Sequence, residues 1–128
     1  MPDRPRVFVV NEPLRRDRET GEYAGRVMNF APAAEFGDVV HLLPAGPPGL
    51  DPEGVLRTIA ARLDAAAPTE RDYLLPVGNQ SAIVLAVAEF SRRLGGRFRW
   101  LHWNGRHGGR SYTPMLVDLD SSLKPIRS

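Results

Sequence analysis

The chain has no cysteine, and every one of its 17 basic residues except Lys124 is an arginine. The missing thiols exclude disulfides, thiolate metal sites and a cysteine nucleophile, and their absence is compatible with a reducing compartment. No stretch approaches the ~20 consecutive apolar residues that a membrane-spanning helix needs. The first apolar run, Val7 to Val10, is too short for the core of a secretion signal, and Asp3 precedes it. A soluble cytoplasmic protein with no membrane role is the expectation. The chain also lacks a dinucleotide fingerprint, a phosphate-loop pattern and a zinc-protease motif, and Ser81 has no nucleophile-elbow context. His41, His102 and His107 show no metal-ligand spacing, and His41 inside an apolar run reads as a core histidine. No cofactor, metal or catalytic group is expected on these grounds.

A further absence is local. From Phe90 to Val117 there is no acidic residue. Residues 1–91 carry nine Arg against thirteen Asp and Glu, a balance of −4. Residues 92–128 carry seven Arg and one Lys against two Asp, a balance of +6, which brings the whole chain to +2. Such an asymmetry points to an anionic partner. A GC-rich coding bias accounts for arginine over lysine, but not for the acids stopping at Glu89.

What the chain does contain fits one domain of 128 residues with enough apolar content, 42%, for a core without staples. The β-rich run Arg6 to Val10 predicts a first strand. Residues 14–26 are charged and rich in turn formers, and they read as an exposed loop. One helical turn is expected in residues 29–37, with Pro32 near its start and Gly37 after its end. Asp38 to Leu43 predicts the second strand. After a Pro/Gly linker, Asp51, Pro52 and Glu53 are helix-start signals, and Val55, Leu56, Ile59, Ala60 and Leu63 recur along one stripe. Tyr73 to Val77 predicts a third strand, buried on both faces and central in the sheet, parallel to the second. Pro76 is expected at its last rung.

Asn79 or Ser81 caps the next helix, which ends at Gly95-Gly96. Ile83, Val84, Leu85, Val87, Ala88 and Phe90 surround its first turns, so this helix is expected to be the most buried. Residues 97–103 and 111–119 form a hairpin through a Gly-rich connection, and residues 120–128 form a tail. This order predicts a small three-layer, Rossmann-like α/β fold of about five strands. The sheet should be mostly parallel, with an antiparallel C-terminal hairpin.

Two candidate sites emerge. In the hairpin, alternation puts Phe98, Trp100 and His102 on one face and Arg97, Arg99, Leu101 and Trp103 on the other. If the first set faces the core, an outward tryptophan stands beside arginines, with Arg106, Arg110 and Tyr112 close by in sequence. Arginine with exposed aromatics suits phosphate neutralisation and base stacking. The bland account is a solvated face with Trp103 covered. The second candidate is the turn Gly78-Asn79-Gln80-Ser81, beyond the carboxyl end of a central strand and at a helix N-terminus. That is a favourable anion seat. The plainer account is a bend with a cap. Glu12, at the end of the first strand, is the one acid placed near that edge for chemistry.

The segments "RVFVV", "FAPAAEFGDVVHLL", "DYLLPVGNQSAI" and "RWLHWNGR" give the chain a layout that resembles small uncharacterised α/β proteins of high-GC bacteriophages and mobile elements. The resemblance spans much of the chain and transfers no functional residue. It implies an accessory protein acting on nucleic acid or on host machinery. The sequence reading is therefore a non-catalytic binding protein that contacts nucleic acid or a protein partner through Arg97, Arg99, Trp103, Arg106 and Arg110. The alternative is a nucleotide- or phosphate-ligand protein, enzymatic or not, working at Gly78, Asn79, Gln80 and Ser81 with Glu12. A third reading is a protein-binding adaptor or homodimer.

Overall fold

A computed structural model of the chain describes residues 4–49, 51–105 and 109–119. The expectations placed on Arg106, His107 and the 120–128 tail lie outside the described residues. A five-stranded sheet runs in the order β4 (Asp38–His41), β1 (Arg6–Val9), β5 (Tyr73–Leu75), β6 (Arg97–Trp103), β7 (Tyr112–Asp118). The first four are mutually parallel and β7 is antiparallel to β6. The third predicted strand is indeed central. It is parallel to the second without touching it, because β1 lies between them.

The layers follow from strand alternation. Phe8 and Val10 point to one side, against α2 (Pro52–Ala66) and α3 (Gln80–Arg93), where Ile59, Leu63, Ala86 and Phe90 complete a core. Val7 and Val9 point to the other side, into a smaller cluster with Leu75, Leu101 and Tyr112 under α1 (Ala31–Ala34). Asp51 caps α2 by accepting from the Glu53 N–H, and Asn79 caps α3 by accepting from the Ala82 N–H. At the amino edge of the sheet the buried Asp72 accepts from the Arg6 N–H and from the Thr69 N–H, each at 2.8 Å. It also pairs with the Arg6 guanidinium at 2.8 Å, so that end is tied together by its own side chains.

Several expectations are corrected. Residues 14–26 are not a loop throughout. They form a two-stranded antiparallel ribbon, β2 (Leu14–Arg16) with β3 (Tyr23–Arg26). Its turn is held by Asp17, whose carboxylate accepts from the Glu19 and Thr20 N–H groups. Charged composition hid the strands, because a ribbon exposed on both faces needs no apolar alternation. The strands expected to reach Leu43 and Val77 end at His41 and Leu75, the latter just before Pro76. Helix α3 is not buried all round. It buries Ala82, Ala86, Phe90 and Ser91 but leaves Val84 67% exposed, since only one of its faces meets the sheet and α2. Leu101, expected to face outward, is 1% exposed, because the second face of the sheet carries its own cluster.

The outer edge has a built-in stop. The bonds Leu119 N–H to Gly96 O and Asn104 N–H to Ser111 O bracket the β6–β7 ladder. Alternation between them turns the backbone groups of Tyr112, Pro114, Leu116 and Asp118 toward the open edge. Pro114 thus removes an outward donor from the middle of β7, a common protection of edge strands.

Candidate ligand cleft and basic hairpin

Strand order places a topological switch point between β1 and β5, the usual ligand crevice of an open α/β sheet. Here that crevice is filled. Gly78 has φ +105, and a Cβ on it would lie 2.1 Å from the Asn11 carbonyl oxygen. The glycine is needed for the approach of Asn11. Asn11 is buried; its Oδ1 accepts from the Asn79 N–H at 3.1 Å and its Nδ2 donates to the Gly46 carbonyl at 2.8 Å. Asn79, Gln80 and Ser81 are exposed at the α3 N-terminus, beside a hollow of about 150 Å³. Glu12 is buried and accepts from Arg26 Nε at 2.8 Å and Nη2 at 3.4 Å. It therefore anchors the return strand of the ribbon to the end of β1.

That anchor shapes a second hollow one strand further along. Residues Val27 to Asn29 leave the ribbon and form one wall of a cleft of about 560 Å³. Trp103, Tyr112, Arg110 and Val77 line the same cleft. Trp103 ends β6 and Tyr112 begins β7, so they are cross-strand partners, and their ring centroids lie 4.9 Å apart. Trp103 remains 43% exposed while Tyr112 is only 6% exposed. The Tyr112 hydroxyl is the one buried side-chain polar atom without a hydrogen-bond partner among the described residues. Desolvation raises its pKa above the ordinary 10.0, so it is a protonated donor at neutral pH. Arg110 sits at φ +54, a left-handed conformation that costs a non-glycine residue, and it makes no side-chain ion pair among the described residues.

The basic segment is divided by the fold. Arg92 pairs with Glu89 at 3.1 Å, and Arg93 with Glu89 at 3.0 Å and Asp64 at 2.7 Å. Arg93 thereby holds helix α3 to α2, while Arg92 is paired within α3 itself. These contacts also lower the Glu89 pKa, the hydrogen bond from Arg92 being the largest cause. Arg97 and Arg99 do share a sheet face with Trp103, as their spacing implies. Arg97 is 3.6 Å from Asp118, an exposed and weak pair, and the Arg99 guanidinium lies over the Tyr73 ring at 5.9 Å. Leu116, cross-strand from Arg99, leaves 54% of its surface to solvent on the same face.

The structure thus brings together Trp103 and Arg110 in one cleft, and Arg97 and Arg99 along the strand leading to it. It places Gly78 to Ser81 and Glu12 outside that cleft, at a crevice closed by Asn11. Sequence reasoning did not single out Tyr112 as a site residue, although pairing the two hairpin strands in register puts it opposite Trp103. Nothing local in the sequence marks Val27 to Asn29.

Fold and cleft together define a small α/β protein with a mostly parallel sheet and an aromatic hollow at its carboxyl edge. Residues 5–119 match the family described as Phage Pam3 gp32-like protein, and the chain belongs to that family. No curated protein and no solved structure matches it significantly. Among the described residues no helix is long and apolar enough to cross a membrane, and no cluster of acidic and histidine residues could hold a metal ion.

Proposed function

We propose that this phage-family protein acts by binding nucleic acid, through the sheet face that carries Arg97, Arg99 and Trp103 and ends at Arg110. The supporting observation is the shared phase of these side chains. Arg97, Arg99 and Trp103 alternate onto one face of β6 over ~20 Å of strand, while the acids that neutralise Arg92 and Arg93 lie elsewhere. Among the described residues, Arg97 has a long contact to Asp118 as its ion pair, and Arg99 lies over a ring. Both guanidiniums are free to exchange those partners for phosphates.

Binding through phosphates releases counterions, so affinity falls with salt at a log–log slope of roughly 0.7 to 0.9 per phosphate neutralised. Titrating the protein with labelled single- and double-stranded oligonucleotides from low to moderate salt measures that slope. Replacing Arg97 and Arg99 together with Ala is expected to reduce it by about 1.5, with the thermal unfolding profile unchanged. A flat isotherm at low salt for both nucleic acids would remove this reading and leave a host protein as the partner.

A further inference from the structure

We infer that the cleft between Trp103, Tyr112 and the 27–29 wall takes one unpaired nucleotide of a single strand, with its base against the aromatic rings and its phosphate toward Arg110; this rests on the nucleic-acid reading above. Four observations converge on that chemistry. The volume, about 560 Å³, lies within the range of small-molecule clefts. One wall offers Trp103, nearly half exposed although it is large and apolar, and any base can stack on such a ring. Among the described residues the lining holds one cation, Arg110, and no acid, so it favours a ligand with a negative charge.

The fourth observation is the Tyr112 hydroxyl, buried without a partner beside the same cleft. An unsatisfied buried donor is a cost to the fold, and such a cost persists where a ligand supplies the missing acceptor. Base edges are rich in acceptors. The strained backbone at Arg110 is a second local cost at the same place. Watson–Crick pairing would keep a base out of a cleft of this shape, so the inference separates single strands from duplexes.

The test compares a single-stranded oligonucleotide, its duplex and a nucleoside monophosphate, at one low salt concentration, on the wild-type protein and on Trp103→Ala, Arg110→Ala and Tyr112→Phe. The expected result is single-strand binding at least tenfold tighter than duplex binding. Trp103→Ala should weaken the single strand by roughly 5- to 150-fold, the range for losing one stacked base, and Arg110→Ala should weaken it less. Tyr112→Phe keeps the ring and removes only the unpaired hydroxyl. It should melt no lower than wild type and still bind the single strand several-fold more weakly, a combination that a purely structural tyrosine would not produce.

Equal binding of single strand and duplex, unaffected by Trp103→Ala and Tyr112→Phe, would overturn the cleft assignment and leave the Arg97–Arg99 face standing. Trp103-dependent binding of the monophosphate without strand binding would overturn the strand assignment. Absence of all nucleic-acid binding would instead remove the reading on which the inference rests.

Discussion

Two places on the carboxyl edge of one sheet have opposite fates. Between β1 and β5, where topology favours a ligand, Asn11 fills the crevice and every polar group of its side chain is used. Beside β5 and β6, about one strand further along, Trp103 is left half-open, the Tyr112 hydroxyl unpaired and Arg110 strained. The first region spends its polar groups on the fold. The second leaves them available. Strand order tells where a crevice can form; whether it binds anything depends on what the neighbouring side chains have already satisfied.

The comparison can be broken most forcefully at Gly78. A Cβ there would overlap the Asn11 backbone, and φ +105 is itself unfavourable for any other residue. Gly78→Ala should lower stability by roughly 3 kcal/mol or more, read from the urea midpoint at an unchanged slope. Whatever protein remains folded should keep its preference between nucleic acids, because the proposed ligand cleft lies beside β6 and not at this crevice. Asn11→Ala is a milder version, expected to cost about 2–3 kcal/mol for the buried partners left without bonds.

A smaller effect sharpens the open side. Arg26→Ala releases the ribbon from Glu12 and with it the chain that continues into Val27 to Asn29. Amide exchange across residues 14–26 should rise while the exchange of β1 and β5 stays slow. Ligand affinity should fall through the loosened wall. If the ribbon amides keep their protection in that variant, the wall is held by something other than the Glu12 anchor.

The smallest effect lies away from both regions. Glu89 has its pKa lowered below the usual 4.5 by Arg92 and Arg93. A carboxylate whose folded pKa is depressed adds stability that is present above its unfolded pKa and lost as pH falls through the folded one. Wild-type protein should therefore lose part of its stability below about pH 4.5. Glu89→Gln should be less stable at neutral pH and show a shallower decline in that acid range. Equal slopes for the two proteins would show that the α3 arginines contribute nothing through this carboxylate.

Local chemistry made much of the architecture legible. Asp51 with Pro52 announced α2, Asn79 or Ser81 announced α3, and the span 97–103 matched β6, although Leu101 is buried and His102 exposed against the expected alternation. Those signals are short-range, because caps and strand periodicity act within a few residues. The ribbon at residues 14–26 was missed since both of its faces are wet, and the exposure of Val84 was missed since apolar content alone does not say which side a neighbour covers. The candidate site was legible in part. Trp103, Arg97 and Arg99 were placed on one face by period two, but the acid-free run overstated the patch.

By itself, then, the sequence determined the order of the main-sheet strands and of the helices, the helix starts, the mostly parallel sheet with its antiparallel hairpin, and the face on which Arg97, Arg99 and Trp103 stand. These follow from backbone preferences and alternation, which are properties of neighbouring residues. Only the tertiary structure decided that Asn11 would close the switch-point crevice against Gly78, that Asp64 would pair with Arg93, and that Val27 to Asn29 would line one cleft with Trp103. Each of those joins groups distant in sequence or on separate elements, and whether a charge or a hydroxyl is satisfied depends on which distant groups packing brings within hydrogen-bond reach.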